Sequence, residues 1–470
     1  LSKAPAKTIS VNGFAIFSPV HLSPGLWRHP DDRSREFDTL GYWTDVARTL
    51  EAGKFDSIFI ADGIGIHDVY AGNADAALST AAQIPKLDPM LLVSAMAHVT
   101  EHLGLGITAS VSYEPPFTLA RRFSTLDHLT RGRVAWNIVT GYSAAASRAV
   151  GRPDIMPHDP RYDLADEFLD AVYALWEGSW DDGAVLADRD SGVFADPSKI
   201  RKVHHHGQHF KVDAIHLVHP SPQRTPFLFQ AGASNRGKDF AARHAEAVFL
   251  GEHSRSRTAA NVAETRARAR TFGRDGRDIR FFGLITVIAG ETRAEAEAKY
   301  RDYQRYTDPK GALALLSGWT GIDLSRYSLD DPFPTLKKDN AVTSMIDSFS
   351  GAERVWTIRD IIEHNFIGGR GPVVIGSPSE VADQLQAWVA ETDIDGFNLS
   401  YAITPGGYRD FADLVVPELQ RRGVYKTDYA PGTLREKIFG TGQARLPATH
   451  PAARFRSDAI ASHQQALASG

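Results

Sequence analysis

The sequence predicts an α/β fold, a (β/α)8 TIM barrel with insertion segments and a C-terminal extension, and three observations predict it. Apolar strand-like runs alternate with helix-period runs along most of the 470 residues, the pattern of a parallel sheet. Eight such strands can be counted, with GPVVIG as a further run that fits either the barrel or an insertion. No Gly-x-Gly-x-x-Gly follows the first strand, as an open dinucleotide-binding sheet would want. Length alone suggests about three domains at ~150 residues each, but a barrel with insertions can absorb more than ~400 residues. The expected organisation is one barrel domain over 1–470, with an excursion at 180–223, an insertion at 307–354 and a tail at 423–470.

The elements follow in order. ISVNGFAIF (Ile9–Phe17) reads as the first strand. Beyond GLWRHP, Tyr42, Val46 and Leu50 recur at helical spacing and Gly53 closes the helix. FDSIFIAD (Phe55–Asp62) is a short apolar run ending in an acid, a buried-strand signal. A helix over Pro89–His98 leads to the strand LGLGITASVS (Leu103–Ser112). Leu119, Phe123, Leu126 and Leu129 share a helical face that Gly132 stops. The fourth strand is Arg133–Thr140, and Leu164, Phe168, Val172 and Leu175 mark the helix after it. Trp180–Gln223 has little periodicity, and a link this long suggests a functional excursion. PFLFQAG, a helix over Lys238–His244, EAVFLG and a basic helix to Phe272 resume the order. RFFGLITVIAG and a helix over Arg293–Tyr306 precede an irregular stretch, Thr307–Arg354. GPVVIG, a helix over Ser379–Ala390, GFNLSYA and a helix over Tyr408–Arg421 complete the regular part; from Gly423 onward the chain reads as polar and irregular.

Composition bounds the function. With 43% hydrophobic residues the chain can bury a large core, and a net charge of −5 with scattered Lys and Arg argues against nucleic acid as a partner. The absence of cysteine excludes disulfides, iron–sulfur clusters and thiolate zinc sites. No apolar run reaches the ~18 residues of a membrane span, and LSKAPAKTIS lacks a signal-peptide core. No membrane association and a cytoplasmic location are expected.

The richest stretch runs from Arg131 to Phe168. A strand leads through a loop to HDPRYDLADEF, with Asp159 as the expected N-cap, Pro160 first in the helix, His158 before the cap and Tyr162 in the first turn. A helix N-terminus flanked by an imidazole and a phenol makes a phosphate seat at a strand's carboxyl end. Asp62 ends the second strand, where a barrel places functional carboxylates, though a loop cap explains it equally. Thr108 and Ser110 share one strand face. Asn137 lies in an apolar strand, where a buried amide needs partners from a cofactor or from neighbouring strands. GASNRGK (Gly232–Lys238) nearly matches a P-loop, but Asp239 replaces the magnesium-binding hydroxyl, so nucleotide hydrolysis is rejected. Ser234 and nearby N–H groups remain able to hold a phosphate, or to form an ordinary tight turn. His204–His209 (HHHGQH) reads as a loop rather than a metal cluster, since consecutive imidazoles do not converge on one ion. ETRARARTFGR reads as a solvated helix face. His21 follows the first strand, at a barrel mouth, where it serves as acid, base or hydrogen-bond donor or binds a loop carbonyl. No carboxylate pair at two strand ends suggests a glycosidase.

Together these residues resemble the flavin-dependent monooxygenases of the bacterial-luciferase superfamily. The resemblance is to the branch of nitrilotriacetate, dibenzothiophene-sulfone, long-chain alkane and dimethyl-sulfide monooxygenases. GLWRHP, KFDSIFIADGIGIHDVY, MAHVTEHLGLG, ARRFSTLDHLTRGRVAWNIVT, HDPRYDLADEF, LWEGSW, SPQRTPFLFQAGAS and DGFNLSYAITPG carry it in the family order across nearly the whole chain. GTLREKIFG and HPAARFR resemble the alkane and dimethyl-sulfide members most. The resemblance implies a two-component enzyme. Reduced FMN (FMNH2) arrives from a separate NADH:FMN reductase and reacts with O2 to a flavin C4a-(hydro)peroxide, and one oxygen atom passes to a small organic substrate. It also implies that Asp62, Thr108, His158, Tyr162 and Ser234 contact FMN, with Asn137 in the matching strand and His21 beside the flavin pocket as the catalytic candidate. A homo-oligomer is expected. A non-oxygenating flavin-binding barrel and a deazaflavin-dependent oxidoreductase are the alternatives.

At Gly141 some relatives carry serine, so a phosphate contact there falls to backbone. The alkane member has histidine at Tyr142 and tyrosine at His67, which withholds the substrate's name. Phe17, Ile64, Ile66, Tyr113 and Tyr142 suggest an apolar or sulfur-containing compound. Flavin chemistry needs exclusion of water, and Trp180–Gln223 and Thr307–Arg354 are the expected covers.

Overall fold

The computed structural model describes residues 7–232, 234–334 and 355–457. Eight parallel strands close a barrel: β1 (Ser10–Ile16), β2 (Ser57–Ala61), β3 (Gly104–Ser110), β4 (Val134–Val139), β7 (Phe227–Gln230), β8 (Ala247–Leu250), β9 (Arg280–Ala289) and β11 (Gly396–Ser400). They neighbour one another in that order, and β11 returns to β1 with Ser10 opposite Gly396. These are the eight expected strands. Their runs are nearly all apolar because both faces are buried, as in β7 and β8.

GPVVIG forms β10 (Val373–Gly376), which joins the sheet without entering the ring. β9 is long enough to serve both neighbours: Phe282–Thr286 pairs with β11, and Thr286–Ala289 pairs with β10. The extra strand therefore extends the wall beyond the barrel's carboxyl end. A separate antiparallel hairpin, β5 (Val203–His206) and β6 (Lys211–Ala214), lies in the 180–223 excursion. His204–His206 are thus strand rather than the expected loop, with residues 207–209 in the connection as expected, and the pleat turns successive imidazoles to opposite faces. His204 pairs with Asp213 at 2.7 Å and His205 approaches Glu167 at 3.4 Å.

A layer of aromatic rings crosses the barrel interior. Phe14 stacks on Phe59 with centroids 4.9 Å apart, and Phe249 meets Phe59 at 4.4 Å and Phe229 at 4.7 Å. Gly106 makes room for this layer: a methyl group there would lie 2.8 Å from the Phe229 ring. The helices pack outside, burying the periodic positions of the sequence, among them Trp43, Val46, Leu50, Phe123, Phe168 and Val172.

Three expected irregular or simple stretches differ. The segment after Thr307 contains the helix Pro309–Thr320, with Asp308 accepting from Lys310 and Gly311 N–H and Gly321 closing it at φ 68°. It is buried on nearly every side, so it has no polar face and no amphipathic period. Residues 335–354 of the same expected insertion lie outside the described residues. The tail contains the helix Leu434–Phe439, opened by a Thr433–Glu436 capping box. The helix expected over Tyr408–Arg421 is Gly406–Asp410, a π-turn at Phe411–Val415 and Val416–Arg421. Pro417 has no N–H to continue the ladder there.

Leu434–Phe439 closes the amino end of the barrel. Leu434 joins Phe59, Phe227, Phe229, Phe249 and Phe282 in one apolar cluster, and Phe439 stacks on Phe227 at 5.9 Å. Arg435, 1% exposed, donates to the Glu246 carboxylate at 2.6 and 2.9 Å and to the carbonyls of Gln223, Thr225, Pro226 and Ala444. No helix among the described residues is long and apolar enough to cross a membrane.

Candidate active site

With the base plugged, the opening lies at the carboxyl ends of the strands, where barrels carry their sites. A cavity of about 380 Å³ lies there, within the range for small-molecule sites. Every barrel strand contributes to its lining, and the Phe14–Phe59–Phe249 layer is part of it. His21, Asp62, Thr108, Asn137, His158, Tyr162 and Ser234, the residues singled out from sequence, all line this one cavity.

One wall is polar. Asn137 and Thr108 stand opposite each other on β4 and β3, and the Asn137 amide N–H donates to the Thr108 hydroxyl at 3.0 Å. That hydroxyl donates to the Ile60 carbonyl at 3.1 Å. Cross-strand pairing therefore uses the amide's donor, while Asn137 Oδ1 and Gln230 Oε1 of β7 are buried without a partner. Asp62 follows β2 and accepts from Gly63 N–H at 2.7 Å. Burial holds its carboxyl above the usual range, against the pull of nearby Lys86. Burial likewise holds the Lys86 ammonium below its usual value, and its Nζ donates to the Gly63 carbonyl at 2.8 Å.

At the far side two helices begin. The helix His158–Tyr173 starts at His158, with Pro157 in the cap position, so the expected Asp159 cap lies inside the first turn. The reason is local: the Asp159 carboxylate turns to His158 Nδ1, at 2.6 Å, instead of to the backbone. Ser234 caps the helix Asn235–His244, its hydroxyl accepting from Gly237 N–H at 3.0 Å. Tyr162 reaches between the two helix starts. A methyl group at Gly232 would lie 2.7 Å from the Tyr162 hydroxyl, and one at Gly237 2.8 Å from it. The glycines of GASNRGK therefore open the turn to this phenol, whose pKa burial raises.

Arg161, which the sequence reading passed over, stands among them. It is 3% exposed and lines the cavity, and its Nε and Nη1 have no hydrogen-bond partner. Neighbouring cations are engaged: Arg236 with Asp163 and Asp166, Lys238 with Glu264. A buried guanidinium without an acceptor is costly unless a ligand completes it. The signal was present in HDPRY, where His158, Arg161 and Tyr162 fall at i, i+3 and i+4 on one face. Two helix dipoles, a free guanidinium, a phenol and an imidazole converge here, the donor set of a phosphate site.

His21, Trp319 and Arg370 also line the cavity. His21 is buried with its ring edge-on to Phe14 at 4.4 Å, and its Nδ1 is unpartnered. Burial lowers its pKa to about 3, against a smaller opposing pull from the Phe14 carbonyl, so the ring is neutral at pH 7. Gln83, also missed in the sequence, donates to the His21 carbonyl at 3.0 Å and meets His67 at 3.2 Å. Trp319 comes from the helix Pro309–Thr320, so that segment supplies part of the wall. No residue of the other expected cover, 180–223, lines the cavity. That excursion is tied to the helices' outer side and the barrel base: His216 Nε2 meets the hydroxyl of Ser124, on the helix Pro116–Leu129, at 3.0 Å, and Gln223 donates to Asp127 and to the Val134 carbonyl at the start of β4.

The comparisons agree with this geometry. The family profile of luciferase-like monooxygenases matches residues 14–395. The chain is 47% identical over 452 residues to the dimethyl-sulfide monooxygenase of Hyphomicrobium sulfonivorans, covering 96% of this chain and 94% of the relative. It is 46% identical over 451 residues to the long-chain alkane monooxygenase of Geobacillus thermodenitrificans, covering 96% and 98%. The crystal structure of a riboflavin lyase with modified FMN and riboflavin superposes with a TM-score of 0.90 at 36% identity, covering 96% and 100%.

Proposed function

The chain belongs to the luciferase-like monooxygenase family, whose members are flavin-dependent, and we propose that it is the oxygenase of a two-component system. In this reading reduced FMN comes from a separate NADH-dependent reductase, and one atom of O2 enters a small organic substrate. The observation that carries the reading is the unpartnered Arg161 guanidinium beside the glycine-lined opening around Tyr162.

The residues present fit the cofactor. Arg161, His158, Tyr162 and Ser234 would hold the phosphate, with Asp62, Thr108 and Asn137 on the wall that takes the remainder. Bound reduced FMN supplies the electrons that activate O2; the protein supplies binding, orientation and dryness. Phe14, Phe59, Phe249 and Trp319 keep water from the reacting centre. Neutral His21 lines the cavity and holds one proton on its ring, so it can donate or accept a hydrogen bond without carrying charge.

The test supplies the protein with NADH, excess flavin reductase, FMN and candidate sulfides, alkanes and sulfones. An oxygenated product that disappears when the reductase is omitted is expected. Hydrogen peroxide as the sole product across the series would favour a flavin-binding barrel without oxygenation. Substrate-dependent NADH oxidation without reductase would contradict the two-component reading.

A further inference from the structure

The second cation of the cavity without an ion pair among the described residues is Arg370, and the phosphate seat does not account for it. It stands in the turn Gly368–Gly371 before β10, and its side chain lines the cavity. Its guanidinium lies 5.8 Å from the centre of the Trp319 ring, and a methyl group at Gly251 would be 3.7 Å from Nη2. Among the described residues no carboxylate lies within ion-pair distance of it, and its guanidinium makes no hydrogen bond. Glu252, the acid on the same rim, is engaged instead by Arg257 at 3.5 Å and Asn261 at 3.3 Å.

The turn presents Arg370 firmly. Gly368 and Gly369 have φ of 78° and 62°, conformations that glycine adopts freely. A methyl group at Gly369 would lie 3.0 Å from Leu22, and one at Gly371 2.6 Å from Leu284. The chain is therefore pressed against the barrel rim on both sides of the arginine. Burial pulls the guanidinium's pKa down, yet a guanidinium stays charged at any working pH. A charge so placed, over the Trp319 ring in a cavity that Phe14 and Leu284 also line, matches an anion carried on an apolar body.

We propose that Arg370 is a specificity-determining residue that selects substrates bearing one anionic head, a carboxylate or sulfonate, on an apolar or thioether body. This rests on the cavity being the substrate site of the proposed monooxygenase. It narrows the substrate class from neutral alkanes and sulfides to their acidic derivatives.

The experiment titrates phenylthioacetate and the isosteric phenylthioacetamide into the full chain with FMN present, followed by calorimetry. The wild-type protein should bind the acid about tenfold tighter than the amide, the scale of one charged hydrogen-bond pair. Arg370→Met should erase the preference while leaving amide binding and FMN affinity unchanged, and Arg370→Lys should keep part of it. Equal binding of acid and amide by the wild type, or no binding of the acid, overturns the proposal. So does a preference that survives Arg370→Met. A loss of FMN but not riboflavin affinity in Arg370→Met also overturns it, because it makes Arg370 a phosphate ligand. Failure of the wild type to bind reduced FMN under anaerobic conditions would instead sink the flavin reading, and the acid–amide comparison can still be read without flavin.

Discussion

The two ends of the barrel use arginine in opposite ways. At the base, Arg435 is surrounded by Glu246 and four backbone carbonyls. Arg274 donates to the carbonyls of Ala242 and Ala245, and Arg133 to those of Ala97, Thr100 and Leu103. At the mouth, Arg161 Nε and Nη1 are buried without a hydrogen-bond partner, and Arg370 lies over the Trp319 ring with no ion pair or hydrogen bond among the described residues. Burying a guanidinium costs desolvation in both places; at the base the fold itself offsets it. At the mouth the cost is left standing, and only a ligand can offset it. Opposite saturation of the guanidinium groups separates the structural end from the functional one.

The largest effect should come from breaking the base. Arg435→Met leaves Glu246 buried and unpaired, and should lower stability by about 3–5 kcal/mol in urea unfolding. Oxygenation per folded molecule should be unchanged. Replacing Glu246 by Leu in the same chain should recover much of the loss. An Arg435→Met protein that is stable but inactive would break the division between the ends.

Acid should act next. His21, His67 and His216 are held neutral by burial, with pKa lowered from 6.5 to about 3, about 4 and about 4. The unfolded chain therefore binds more protons than the folded one below pH 6.5. Stability present above that pH should fall as pH drops toward 3. The slope of stability against pH should shrink by about one proton in His216→Asn. An unchanged slope would contradict a buried neutral ring.

Smaller effects sharpen the mouth. Tyr162→Phe should weaken FMN binding by roughly 1–2 kcal/mol and leave riboflavin nearly unaffected. Equal losses would place the phenol away from the phosphate. His21→Ala removes a buried ring and should lower Tm modestly, while product per NADH falls and hydrogen peroxide rises. A large drop in Tm with coupling intact would show a ring that only holds its loop.

The strands were legible because a parallel barrel buries both faces, which writes continuous apolar runs such as FLFQ and AVFL into the sequence. The same burial hid the helix Pro309–Thr320: a helix covered all round has no period to find. Leu434–Phe439 was hidden because six residues bury only Leu434 and Arg435 fully, and their meaning lies in what they plug. At the site, Asp62, Tyr162 and Ser234 stood out by strand-end or helix-start position, Thr108 by the strand face it shares with Ser110, and Asn137 as an amide inside an apolar strand. Arg161 and Arg370 did not, because charged residues in a sequence read as solvated, and only coordinates show which of them lack acceptors. The excursion 180–223 misled for the opposite reason. Its length suggested a cover, but its hydrogen bonds tie it to the barrel's outer helices and base.

The central claim is that the unsatisfied cation at the mouth is kept for a flavin phosphate. The direct measurement is binding of reduced FMN and reduced riboflavin, under anaerobic conditions, to the wild type and Arg161→Met. Removing a guanidinium that the fold leaves unpartnered should leave Tm unchanged or raise it. FMN affinity should fall by about 1.5–3 kcal/mol, the worth of a charged hydrogen bond, with riboflavin affinity unmoved. A lower Tm with FMN and riboflavin binding both intact would show that Arg161 belongs to the fold, and would contradict the account.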